Sequence, residues 1–99
     1  MLDKLQSSDF LPNLHGRFRV LSDGVEPIEL ELTQVTEIRQ KSRPEARVPF
    51  SLIFLGPPIQ QYLVQHTYRL EHERMGTLDL FLVPLGPAEG RMQYEAIFS

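Results

Sequence analysis

Apolar and polar residues alternate most regularly between Thr67 and Phe98, where the chain reads TYRLEHE, RMG, TLDLFLV, PLGPAEG and RMQYEAIF. Period-two alternation broken by glycine- and proline-bearing segments predicts strand, tight turn, strand, longer turn, strand. Tyr68, Leu70 and His72 share one face of the first strand, and Leu78, Leu80 and Leu82 share one face of the second. Directly paired residues lie on the same face. The pattern therefore predicts the pairs Tyr68–Leu82, Leu70–Leu80 and His72–Leu78. That leaves Arg74-Met75-Gly76 as a three-residue loop, with glycine where such loops need a left-handed residue. On the opposite face Thr67 would then meet Val83, Arg69 would meet Phe81 and Glu71 would meet Asp79. In the last strand Met92, Tyr94, Ala96 and Phe98 alternate with Gln93, Glu95 and Ile97.

The upstream half shows the same period. Phe18 and Val20 alternate in RFRVL, and Ile28, Leu30 and Leu32 alternate in IELEL, with Asp23-Gly24 between them as a hairpin signal. A two-residue Asp-Gly loop would set Phe18 opposite Glu29, a core residue against a solvent residue. An odd loop such as Asp23-Gly24-Val25 pairs Val20 with Ile28 and Phe18 with Leu30, so the odd loop is expected. Beyond Leu32 the apolar residues slip to Val35 and Ile38, which predicts a bulge near Thr33-Gln34. In VPFSLIFL, Val48, Phe50, Leu52 and Phe54 form the core face, while Ile53 and Leu55 make the other face apolar as well. Pro49 places the strand start near itself, and Gly56-Pro57-Pro58 is expected to stop the strand. Residues 56–66 then form a connection in which Ile59, Tyr62 and Leu63 are spaced to make one helical turn over an open barrel end. Ahead of all the strands, Leu11, Leu14 and Phe10 suit a short amphipathic helix over 8–14. Ser8 or Asp9 would cap it, Gly16 would end it in a left-handed conformation, and its leucines would cover a sheet face.

These elements predict an all-β, mainly antiparallel fold: a small six-stranded β-barrel or strongly curved sheet with one short N-terminal helix. Residues 1–99 make a single domain, 1–15 the helical segment and 16–99 the barrel. The length supports this, because a chain of 99 residues buries roughly 65% of its unfolded surface. Hydrophobic residues at 41% and charged residues at 23% are ordinary globular values.

A net charge of −3 gives no overall footprint for nucleic acid. The basic run over 39–47 has no interleaved aromatic residue on which bases could stack, and it reads as a solvated hairpin tip. The absence of cysteine excludes disulfides and thiolate metal sites and fits a reducing compartment. No signal peptide or membrane span is expected from MLDKLQSSDF or from any longer apolar run, so a cytoplasmic protein without membrane partners is expected.

Candidate chemistry is sparse. The predicted register lines up Glu71 and Asp79, and Glu95 joins them if Leu80 pairs with Tyr94. Such a row could hold a hard cation or raise one carboxyl pKa, although basic neighbours commonly neutralise rows of this kind. His66 and His72 lie six apart on one strand, roughly 20 Å at ~3.3 Å per residue, too far apart to share a metal. With Tyr62 they form a candidate rim for a pocket at the barrel end. The serines lie outside any nucleophile elbow, and there is no phosphate loop, so neither catalytic residues nor cofactors are assigned. The apolar residues left over by the core, Ile53, Leu55, Phe81, Val83 and Ile97, would be covered by the N-terminal helix or would form a face for a partner.

The segments LDKLQSSDFLPNLHGRFRV, FSLIFLGP, TYRLEHERMGTLDLFLVPLGP and MQYEAIF together resemble an uncharacterised bacterial domain family of unknown function. The resemblance spans nearly the whole chain and departs from the family pattern at Val64 and His66. It implies genes that often neighbour those of phage-tail-collar-like proteins, and hence an accessory role in a tail-like assembly. It carries over no catalytic residue. The function expected is a non-catalytic interaction or assembly module with a protein partner or as a homo-oligomer. The alternative is a small-ligand-binding barrel.

Overall fold

A computed structural model describes residues 5–21, 28–38, 48–58 and 63–98. Six antiparallel strands, β1 Arg17–Leu21, β2 Ile28–Glu37, β3 Phe50–Pro58, β4 His66–His72, β5 Gly76–Ala88 and β6 Arg91–Phe98, close into a barrel in the order β1-β2-β3-β6-β5-β4. The meander expected over 67–98 is half of that barrel. A second meander, β1-β2-β3, faces it, and the two are joined by a β3–β6 seam and a β1–β4 seam. Closure pairs every strand on both sides along part of its length, and the unpaired edges are confined to the projecting ends.

Alternation places the core side chains, and it breaks only at the register shifts in β2, β3 and β5. Phe18, Val20, Leu30, Leu32, Phe50, Leu52, Phe54, Leu70, Leu78, Leu80, Leu82, Tyr94, Ala96 and Phe98 all point inward and are buried. A six-stranded barrel has room for side chains alone, and these fill it. Phe18 pairs with Leu30 and Val20 with Ile28, the pairing an odd loop demands, although the loop itself (22–27) lies outside the described residues. The register between β2 and β3 shifts between Leu32 and Gln34, so the expected bulge is present. Thr33 anchors it by donating its hydroxyl to the Ile53 carbonyl at 3.2 Å.

Four expectations are corrected. The β4–β5 register is two residues from the expected one: Tyr68 pairs with Leu80, Leu70 with Leu78 and His72 with Gly76. The connection is therefore Glu73-Arg74-Met75, and Gly76, still left-handed at φ +77°, opens β5 instead of closing the loop. A shift of two preserves every face, so the hydrophobic pattern could not distinguish the two registers. Second, prolines do not end the strands. Beyond Leu55, β3 pairs only with β6, and beyond Leu82, β5 pairs only with β6, so Pro57, Pro58, Pro84 and Pro87 remove no ladder bond on the unpaired side. The β5–β6 turn shrinks to Glu89-Gly90, both with positive φ (54° and 79°), as a two-residue type I′ hairpin needs. Third, β3 begins at Phe50, next to Pro49 as expected, but Val48 ahead of it is exposed and does not join the core face.

The fourth correction concerns the N-terminal segment. It is a single helical turn, α1 Ser7–Phe10, followed by a 3₁₀ turn over Leu11–Asn13. Asp9 caps it, but through the backbone N–H of Gln6, which donates to its carboxylate at 2.7 Å. The left-handed residue at the end is His15 (φ 69°), not Gly16. His15 N–H donates to the Leu32 carbonyl at 2.6 Å, and Leu32 N–H donates to the Gly16 carbonyl at 3.1 Å. These two bonds, past the end of β1, hold the conformation that a non-glycine residue adopts only when its surroundings impose it.

The segment does not cover a sheet face. It plugs one barrel end with Phe10, whose ring lies 5.7 Å from that of Phe50 and 5.5 Å from that of Phe98. Phe50 and Phe98, directly paired across β3 and β6, stack 4.6 Å apart. Leu11 and Leu14 stay exposed. At the other end Leu63 returns over the barrel, its N–H donating to the Tyr94 hydroxyl at 2.7 Å. The helical turn expected over 59–62 lies outside the described residues.

The plug makes a discriminating prediction. Phe10→Ala empties a site with no exposed surface and is expected to cost about 3–5 kcal/mol in chemical denaturation. Leu11→Ala, next to it in sequence but half exposed, should change stability by less than about 0.5 kcal/mol. Equal losses for the two would contradict the plug.

Candidate functional site

The outside of the barrel divides into two chemically different sides. On β1, β2, β4 and the adjoining part of β5 charged outward residues pair across the strands: Arg17 with Glu29 at 3.1 Å, Arg19 with Glu71, and Arg69 with Asp79 at 3.1 Å, while just ahead of β1 the Nδ1 of His15 lies 3.3 Å from the Glu31 carboxylate. Exposed pairs of this kind are screened by water and contribute little, so they solvate the surface more than they hold the fold. Hydrogen bonding to Asp79, reinforced by its charge, raises the Arg69 guanidinium above its ordinary value.

These pairs dissolve the expected acidic row. With the register shifted by two, Glu71 faces Thr77 and Asp79 faces Arg69. Glu95 faces Val83 on β5, because Tyr94 pairs with Pro84 and not with Leu80. The three carboxylates are dispersed. Among the described residues no group of three or more His, Asp or Glu is placed to hold a metal ion.

On β3, β6 and β5 the outside is apolar. Ile53, Glu95 and Val83 are direct cross-strand neighbours over three strands. Leu55 lies two residues from Ile53 on β3, Ile97 two from Glu95 on β6, and Phe81 two from Val83 on β5, so all share the outer face. Ile53, Leu55 and Val83 are half-buried between their neighbours, whereas Phe81 is 50% exposed and Ile97 60%. The helical segment sits at the barrel end, leaving this face open among the described residues. The five residues singled out in the sequence are thus on one side of one sheet. Alternation already sets Glu95 on this face beside Ile97, and the register makes Ile53 and Val83 its direct neighbours.

The candidate pocket rim is not assembled. His66 is exposed at the start of β4, edge-on to Tyr68 with ring centroids 5.5 Å apart, while His72 is buried at the far end of the same strand. Tyr62 lies outside the described residues, as does the basic run 39–47. His72 instead floors an open cleft of about 370 Å³, walled by Gly16, Arg17, Arg19, Glu29, Glu71 and Glu73. The outward charges of RFRVL and IELEL were the only sequence signal for this cleft.

His72 is held with unusual definition. The backbone N–H groups of Arg74 and Met75 donate to its Nδ1 at 3.1 and 3.2 Å, so that nitrogen is unprotonated and the neutral ring carries its hydrogen on Nε2. The ring lies 4.5 Å from that of Phe18. Nε2 is aimed at Gly16, where an added Cβ would sit 3.3 Å from it and 2.8 Å from the Asn13 carbonyl oxygen. Burial lowers the His72 pKa below its ordinary 6.5, Glu73 opposes this weakly and Arg74 adds to it.

The fold defines the chain as a small closed antiparallel β-barrel with one plugged end and an outer surface divided into charged and apolar sides. The chain belongs to the family described as a domain of unknown function (DUF6916), which it matches over residues 5–98. No curated protein and no solved structure matches it.

Two outcomes follow for the His72 corner. A histidine whose folded pKa is depressed stabilises the fold fully above about pH 6.5, and that contribution is lost as pH falls from there through the folded value, because the unfolded chain binds the proton more readily. Melting temperature should therefore fall on acidification below about pH 6.5. His72→Gln, which keeps an acceptor for the turn, should remove this segment of the pH profile, and an unchanged profile would exclude His72 as its source. Gly16→Ala should cost about 1–3 kcal/mol, since the added methyl meets a backbone oxygen.

Proposed function

We propose that this domain is a non-catalytic interaction module that docks a protein partner on the outer face of β3, β6 and β5. The observation that carries the reading is the exposure of Phe81 and Ile97 beside the half-buried Ile53, Leu55 and Val83 on one outer face of three neighbouring strands. Packing gives no reason for it, because the interior is filled without these residues. Contiguous exposed apolar surface of this kind marks interaction sites, and an aromatic residue among aliphatic ones is the usual composition of an interface centre. A tail-like assembly of phage origin in a bacterium is the setting that the family resemblance implies, with the domain as an accessory or adaptor. Among the described residues no helix is long and apolar enough to cross a membrane.

A second reading places a small ligand in the cleft beside His72. It is favoured by the charged residues Arg17, Arg19, Glu29, Glu71 and Glu73 that line one cleft with His72.

The docking reading is tested by using the chain as bait in an extract of its native host, beside the double variant Phe81→Asp/Ile97→Asp. Both side chains are at least half exposed, so the variant should keep its fold and lose the captured protein. Capture of the same protein by both chains would move the interface elsewhere.

A further inference from the structure

The apolar face carries one charge, and its position constrains what can cover it. Glu95 is flanked directly by Ile53 and Val83, with Ile97 and Phe81 one step further along their strands. Every ion pair between described residues lies on the charged side of the barrel, and Glu95 takes part in none of them. The one arginine on β6, Arg91, gives its Nε to the Gly56 carbonyl at 2.7 Å. A carboxylate can be desolvated at an interface only if it is paired and hydrogen-bonded there.

A second copy supplies the wrong charge. A two-fold contact sets the same patch against itself, and with Glu95 central to the patch the two carboxylates would be brought together in a desolvated contact. Like-charge juxtaposition of this kind costs several kcal/mol. The same carboxylate therefore acts as a guard against self-association, as charges do on other exposed sheet surfaces.

Resting on the docking reading above, we infer that the occupant of this face is a surface of a different protein, apolar and carrying one arginine or lysine placed to meet Glu95. Its apolar part covers Phe81, Ile97, Ile53 and Val83, and its cation pairs with the Glu95 carboxylate. The net charge of −3 favours approach by a basic surface as well.

The test uses the purified full chain, with no unidentified ligand, and measures mass by sedimentation equilibrium across concentration. Circular dichroism checks the fold of each variant, and Glu95→Gln stands in should Glu95→Leu fold poorly. The wild-type chain should be monomeric. Glu95→Leu should self-associate, raising the association constant by roughly tenfold or more, and adding Phe81→Asp should reverse this. Glu95→Arg alone should be monomeric, while its equimolar mixture with the wild type should form a heterodimer that high salt weakens.

A wild-type dimer dissolved by Phe81→Asp would overturn the inference in favour of a second copy and leave the docking reading standing. Self-association of Glu95→Leu without pairing in the mixture would overturn the cation alone. Monomers in every sample would overturn the inference, while the docking reading stands or falls on the bait experiment.

Discussion

Three residue pairs between β1 and β4, Arg19 with Glu71, Val20 with Leu70 and Leu21 with Arg69, close into a barrel the two meanders that the β3–β6 seam already joins. β1 is only five residues long, so there is little redundancy in that seam. Its closing pair, Val20 with Leu70, is buried on the inside, and Arg19 pairs with Glu71 on the outside. Without the seam β1 and β4 would each present an unpaired edge, and the interior layers of Phe18, Phe54 and Tyr94 would open to water. Closure also sets how far each strand may slide. A barrel admits only offsets at which strand tilt and stagger return the last strand to the first.

The barrel ends depend on that closure. Its stagger leaves β2 and β3 projecting at one end and β5 and β6 at the other. Phe10 fills the first mouth against the stacked Phe50 and Phe98. The bonds linking His15 and Gly16 to Leu32 position the segment that brings it there. At the second end the projecting hairpin is one-sided, and it is there that Pro84 and Pro87 occur. Prolines in that place withhold N–H groups that a passing strand could pair with, so the hairpin is defended against edge-to-edge association. Beside it, among the described residues, lies the open outer face of β3, β6 and β5.

Much of this was legible in the residues themselves. The odd β1–β2 hairpin followed from keeping Phe18 off Glu29, and the bulge followed from the slip between Leu32 and Val35. The outer apolar set was correctly separated from the core because side-chain direction alternates with period two. The site was only half legible. Ile53, Leu55, Phe81, Val83 and Ile97 were identified, but the carboxylate among them was assigned to a row with Glu71 and Asp79. That row required a particular offset between β4, β5 and β6, and the offset was the quantity the pattern left open. The cleft at His72 was missed for the same reason, since its walls come from three strands and from the segment that ends at Gly16.

The sequence by itself determined which face most strand residues take, where the pattern breaks, that the strands are mainly antiparallel, and that the last three form a meander. Alternation has period two, so it specifies parity and nothing finer. Only the tertiary structure decided the offset of each pair, the run of β3 and β5 through their prolines, and the destination of the N-terminal helix. Those depend on neighbours on both sides of a strand and on the condition that the barrel close. That condition placed Arg69 opposite Asp79, Arg19 opposite Glu71, and Glu95 between Ile53 and Val83.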